Sequence, residues 1–267
     1  MLTHSKSLFA FVVGLLLTSA LQLSVTAQSL TPLQAAIEQQ RQRLSSGETE
    51  ERRDALMRLR ALGHPSASRV AASALNDAAP IVRATAAASV LSLPPAESAA
   101  VLIPLLSDKD EFVRQQGAYA LGKTRSRSAV VPLVERLADK KDSVRAAAAV
   151  ALGEIGDATA LTSLTSLLSP QTSSGQSKKS KSKPEKNVFV LRAAAHSLGL
   201  IGNRAALPAL LSVLQDEKAE VDVRREAAYA LGAIGDSSAL PALRELSASR
   251  DPFLAQASYD AIRKISK

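Results

Sequence analysis

Cysteine and tryptophan are absent from the 267 residues, and the remaining aromatics are five Phe and three Tyr. Without cysteine there is no disulfide, no thiolate metal site, no cysteine nucleophile and no lipidated cysteine anchor. So few aromatics leave Ala, Leu, Val and Ile to build the core, which favours many thin layers over one thick globule. Abundant Ala, with only twelve Gly and twelve Pro, points to helices, because Ala gives up almost no side-chain entropy in them. The three histidines, His4, His64 and His196, are too few for a dedicated transition-metal site. No catalytic triad, phosphate-binding loop or metalloprotease motif is present. The expectation is a non-enzymatic protein with no cofactor and no small-molecule substrate.

Long apolar runs are also lacking, with one exception. Lys6 precedes the run Leu8 to Leu17, and a more polar stretch ends in Val25-Thr26-Ala27 before Gln28. This pattern reads as a cleavable secretory signal at 1–27, with Ala20 as a second candidate cleavage residue. A membrane anchor needs roughly 20 apolar residues, and Thr18, Ser19 and Gln22 interrupt the run. No other segment is long enough to span a bilayer, so the mature chain is expected to be exported, periplasmic or secreted.

The net charge is +8, and about half of it lies in one stretch, where Lys178, Lys179, Lys181, Lys183 and Lys186 face a single Glu185. This Lys/Ser-rich segment, 171–186, reads as a solvated, disordered insertion. The alternative reading is a basic loop that meets an acidic envelope polymer, anionic lipid or nucleic acid. Nucleic acid is disfavoured by the signal segment and by the scarcity of aromatics for base stacking.

Internal repetition organises the rest. The segment VRAAAAVALGEIG from Val144 is echoed from Val82, Val113, Val190 and Val223, and more weakly from Glu51 and Leu254. The starts at Glu51, Val82, Val113 and Val144 are 31 residues apart, the step from Val144 to Val190 is 46, and that from Val190 to Val223 is 33. Apolar residues at the first, fifth, ninth and twelfth places of each copy stack on one helical face. The fifth place is always small: Ala55, Ala86, Gly117, Ala148, Ala194, Ala227 and Ser258. Small residues there are expected where helix backbones approach closely. Gly156-Asp157, Gly202-Asn203 and Gly235-Asp236 combine a left-handed helix end with a cap for a second helix, which carries an early Pro (Pro132, Pro208, Pro241). Asp77, Asp108, Asp110, Asp139, Asp142 and Asp251 mark the turns into the repeating helix. The unit is helix, turn, helix, turn. Seven such hairpins fill 28–267, an all-α solenoid with no room for a second domain.

These residues resemble HEAT-like repeats, in the short form named after phycobilin lyase subunits, with the signature D-x-x-V-R-x-x-A-A-x-A-L-G-x-I-G-D. Asp142 to Asp157 fits it almost residue for residue, Val223 to Asp236 fits nearly as well, and the terminal copies depart most, as end repeats do. The resemblance implies mainly architecture. Most proteins of this kind are docking surfaces, while some relatives act on bilins and others hold iron through paired His-Glu motifs. The iron motif is missing, since the three histidines are followed by Ser5, Pro65 and Ser197. No lyase motif is found either, although a lyase or oxidoreductase member of the family is the rival reading.

The resemblance also implies that the second helix of each pair lines the concave side. Its seventh place runs Met57, Ala88, Tyr119, Val150, His196, Tyr229, Asp260, and beside the second place stand Arg53, Gln115, Arg192, Arg225 and Gln256. Tyr and Arg are favoured interface anchors. Tyr119, Arg192, His196, Arg225 and Tyr229 are therefore the candidate contacts for an unidentified protein partner. The recurring Arg83, Arg114, Arg145 and Arg224 are instead expected to form a structural ladder to the turn aspartates. If the fifth place marks close packing, Ala194→Leu overpacks the stack and costs roughly 1–3 kcal/mol. A melting temperature equal to that of the parent chain would refute this.

Overall fold

The computed structural model describes residues 30–168 and 185–267, and every element in them is a helix or a turn. The expected signal at 1–27 and most of the expected insertion lie outside the described residues. Two compact units are present, Met1–Gln39 and Gln40–Lys267. In the first, the described part is residues 30–39, where Pro32 opens helix α1 (Pro32–Arg43).

The second unit alternates short and long helices. The short ones are α3 (Pro65–Ala72), α5 (Pro95–Leu102), α7 (Val130–Arg136), α9 (Leu161–Leu168), α11 (Leu207–Gln215) and α13 (Leu240–Leu246). The long ones are α2 (Thr49–Ala61), α4 (Pro80–Ser89), α6 (Glu111–Thr124), α8 (Asp142–Ile155), α10 (Val188–Ile201), α12 (Val221–Ile234) and α14 (Pro252–Ile265). These long helices are the seven copies of the repeat. Each packs on the next, and from α4 onward each also packs on the short helix before it, so the fold is an α-solenoid.

Local chemistry explains each boundary. Gly156, Gly202 and Gly235 take φ of 73°, 70° and 75°, closing α8, α10 and α12 in the left-handed conformation that a side chain resists. The side chains of Asp157, Asn203 and Asp236 then accept the backbone N–H two residues on. A single 3-10 turn comes next, and α9, α11 and α13 begin only at Leu161, Leu207 and Leu240. Pro208 and Pro241 fall in the first turn, where a missing N–H costs nothing. Asp110 and Asp251 cap α6 and α14 as the turn signals predict, whereas Asp142 lies inside the first turn of α8.

The core is Ala and Leu, as the composition requires. The first-place residues Val82, Val113, Val144, Val190, Val223 and Leu254 are all buried, as are the ninth-place residues Leu59, Val90, Leu121, Leu152, Leu198 and Leu231. Every fifth-place residue is buried too. At Gly117 a Cβ would stand 2.9 Å from Leu105 Cβ, so this place sets the distance to the 3-10 turn Ile103–Ser107 that follows α5.

Contact between neighbouring copies is set elsewhere, at the tenth place. A Cβ on Gly122, Gly153, Gly199 or Gly232 would come within 2.7–2.8 Å of the Cα of Ala151, Ser197, Ala230 or Ala261, the eighth-place residue of the next copy. Ser197 Oγ also donates to the Ala149 carbonyl at 2.8 Å, and Ser89 Oγ to the Leu56 carbonyl at 3.1 Å. Long helices therefore stack nearly backbone to backbone.

The arginine ladder is present at Arg83 and Arg114 and also takes in Arg52, but Arg224, expected to belong to it, donates to the Leu214 carbonyl instead. Arg52, Arg83 and Arg114 each grip, through Nε and Nη2, both carboxylate oxygens of Asp77, Asp108 and Asp139, at 2.7–3.1 Å. Nη1 of Arg83, Arg114 and Arg145 donates to the backbone carbonyls of Asp77, Asp108 and Asp139 respectively, at 2.8, 2.8 and 3.0 Å. Each aspartate is thus held by its carboxylate from one copy and by its carbonyl from the next. Arg145 ends the chain of contacts on Glu185, at 2.6 and 3.1 Å. A disordered insertion over 171–186 would include Glu185, but its side chain is buried and its carboxylate accepts the Asn187 N–H. Glu185 therefore belongs to the folded body.

The Arg52 hydrogen bond holds the Asp77 carboxyl below its ordinary pKa, against opposing desolvation. At Asp108 and Asp139 desolvation pushes up, but the guanidinium and a backbone N–H outweigh it and the carboxyl again lies low. A depressed native pKa adds stability that is fully present above the unfolded-state value and lost as pH falls through the folded one. Two outcomes are expected from denaturant unfolding. Gly153→Ala destabilises by about 1–3 kcal/mol despite the better helix propensity of Ala, because the new Cβ meets backbone of α10. Arg114→Leu costs about 2 kcal/mol at neutral pH, and the gap from the parent narrows in acid as Asp139 protonates.

Candidate functional site

Outside residues 1–27 the chain has three Phe and three Tyr, and none of the six belongs to the core. All sit on long helices. Phe112, Phe189 and Phe253 each stand immediately before the first place of a copy, and Tyr119 and Tyr229 occupy the seventh. At 100° per residue, seven steps return to within about 20° of the start, so these two positions share one outward strip of each helix. Phe189 and Phe253 are 72% and 66% exposed. In a chain that builds its interior almost entirely from aliphatic residues, this placement is a property of the face and not spillover from the core.

The five expected contact residues fall in three groups. Tyr119, half-buried, lines a cleft of about 290 Å³ with Gln115, Ala146 and Phe189, so it spans the third to fifth copies. His196 and Tyr229 line a second cleft of about 260 Å³ with Leu200, Glu226 and Lys264, across the fifth to seventh. Here His196 Nδ1 lies 2.8 Å from Glu226 Oε1. Arg192 and Arg225 are half-buried and share Asp222, at 3.9 and 2.5 Å, and the Arg225 guanidinium stands 5.8 Å from the Phe253 ring centre. The charged groups of this face therefore largely neutralise one another, leaving aromatic edges as its most available feature.

Phe112, Phe189 and Phe253 were missed by the sequence reading. The signal was there: every Phe after residue 27 precedes a first-place residue. The described residues contain no group of three or more His, Asp or Glu side chains arranged to hold a metal ion. No described helix is long and apolar enough to cross a membrane.

Helix pairs stacked in one direction, with an aromatic strip on the long helices, define a repeat protein of the α-solenoid class. A profile of HEAT repeats matches residues 37–122, 70–151, 99–174 and 183–263. The chain belongs to the HEAT-repeat family. Among solved structures it is similar to the complex of CpcE and CpcF of phycocyanin lyase from Nostoc sp. PCC7120, at 21% identity and a TM-score of 0.51, covering 91% of this chain and 97% of that one. It is also similar to an engineered protein at 20% identity and a TM-score of 0.52, covering 86% of this chain and 68% of that one. At these identities the likeness is one of fold. No curated protein sequence matches.

Proposed function

We propose that this chain is a non-catalytic docking scaffold which holds a protein partner against the aromatic strip of α6, α10, α12 and α14, and that it does so in the cell envelope after loss of the segment 1–27. The observation that carries the docking reading is the exclusive placement of Phe112, Tyr119, Phe189, Tyr229 and Phe253 on the outward face of the long helices. Aromatic side chains bring large, stiff contact area at low entropic cost, and they dominate the energetics of protein interfaces. The two clefts lie between successive long helices, so a segment lying across the helices meets both. The envelope location rests on the apolar run from Leu8 to Leu17 and the small residues before Gln28.

The test is photo-crosslinking in the native host from position 229, with the exposed Val131 of α7 as control. One protein captured at 229 and not at 131 is expected. Its binding should then weaken at least tenfold in the Tyr119→Ala/Tyr229→Ala double variant while the melting temperature stays within a few degrees of the parent. Equal capture at both positions, or undiminished binding by the double variant, would sink the reading.

A further inference from the structure

The ladder breaks between the fifth and sixth copies. Asp216 stands 25 residues after Leu191, the same interval that separates Arg52, Arg83 and Arg114 from Asp77, Asp108 and Asp139. Its turn is built like theirs: Asp216 Oδ1 accepts the Lys218 N–H at 2.9 Å, as Asp77, Asp108 and Asp139 accept theirs at 2.8–2.9 Å. The second place of the fifth copy, however, is Leu191, where the first four copies and the sixth carry Arg. The neighbouring Arg192 turns instead to Asp222. Arg224, two residues out of step because of the longer interval between copies, gives its Nε to the Leu214 carbonyl at 3.0 Å. Among the described residues Asp216 and Glu220 have no basic partner.

The missing guanidinium leaves space. A cavity of about 170 Å³ opens at this point, with Leu167, Leu168 and Leu191 among its apolar walls and three acidic ones, Asp216, Glu220 and the Glu185 already held by Arg145. That is several times the ~30 Å³ one water occupies in the liquid.

We propose that this notch receives an arginine side chain from a partner protein, which completes the ladder in trans. The recognition chemistry is already displayed three times in the same molecule. A carboxylate with one oxygen fixed by the turn N–H accepts the paired N–H groups of a guanidinium, while the aliphatic stem of the arginine lies against leucine. The planar fork of Arg fits a carboxylate through two parallel bonds, which an ammonium does not do. Arg83 and Arg114, both nearly excluded from solvent, show that this seat accepts a buried guanidinium. The inference stands apart from the aromatic strip and does not depend on it.

The probe is an acetylated, amidated five-residue peptide with a central arginine among alanines, titrated into the full chain and followed by backbone amide resonances. Saturable shifts centred on Lys218 and Leu191 are expected. The same peptide carrying citrulline, which keeps the shape and loses the charge, should bind at least tenfold more weakly, as should the lysine peptide. Leu191→Arg supplies the guanidinium in cis, so it should abolish binding and raise the melting temperature; Asp216→Asn should lose binding with the fold intact. No shift at Lys218, equal binding of the citrulline peptide, or undiminished binding by Asp216→Asn would overturn the proposal. Binding that appears only after residues 178–183 are deleted would also overturn it, because the seat would then belong to lysines of the chain itself.

Discussion

Neighbouring copies of this repeat meet with almost nothing between their backbones. Gly122, Gly153, Gly199 and Gly232 lie against Ala151, Ser197, Ala230 and Ala261 so closely that a single added Cβ has no place to go. Most of the stack derives from that constraint. Helices this close have no room for aromatic rings between them, so the interior is Ala, Leu and Val, and each layer is thin. A thin layer buries too little surface to stand alone, and stability accumulates copy by copy through nearest neighbours. Of the six aromatics that the interior refuses, five are left for the outward strip, where they can meet another molecule.

Close approach positions helices along their contact line but leaves the turns at one edge unsupported, and the arginine ladder supports them. A bidentate guanidinium fixes the direction of the aspartate turn, and the next arginine holds the same residue by its carbonyl. Each contact is charge-assisted and partly screened from water, so geometry matters more here than in an exposed ion pair. Removing either partner would leave the other poorly solvated. The arrangement explains why arginine recurs directly after a buried valine: the stem leaves the core boundary and the head reaches the turn 25 residues further on.

Much of this was legible in the residues, and the physical reason is repetition. Seven samples of one helix reveal which places must be apolar, small or basic, much as a family of sequences would. The small fifth place, the capping glycines Gly156, Gly202 and Gly235, and the ladder roles of Arg83 and Arg114 were readable in that way, whereas Arg224 repeats the spelling without joining the ladder. The tenth-place glycines were less plain because three of the seven copies put Arg60, Leu91 and Arg263 there, although glycine recurring inside a helix is costly enough to require a packing reason. The pairing of Arg145 with Glu185 was hidden, since the Lys/Ser-rich insertion lengthens the usual interval of 25 residues to 40. The grouping of the face was hidden too. Spacing places Tyr119, His196 and Tyr229 at equivalent positions, but only the stacking offset between copies puts Tyr119 with Phe189, and His196 with Glu226.

The contact between Arg145 and Glu185 joins the fourth copy to the fifth on the near side of Asn187, where α10 is capped. Leu168 and Glu185 are therefore fixed ends, each anchored in the stack independently of the residues that connect them. Closing a flexible connection costs only about 0.6 kcal/mol more for each doubling of its length. The solenoid can thus carry a segment of almost any length or composition at this one junction without altering its own geometry. In effect the junction is a docking port for new sequence, stitched shut by one ion pair.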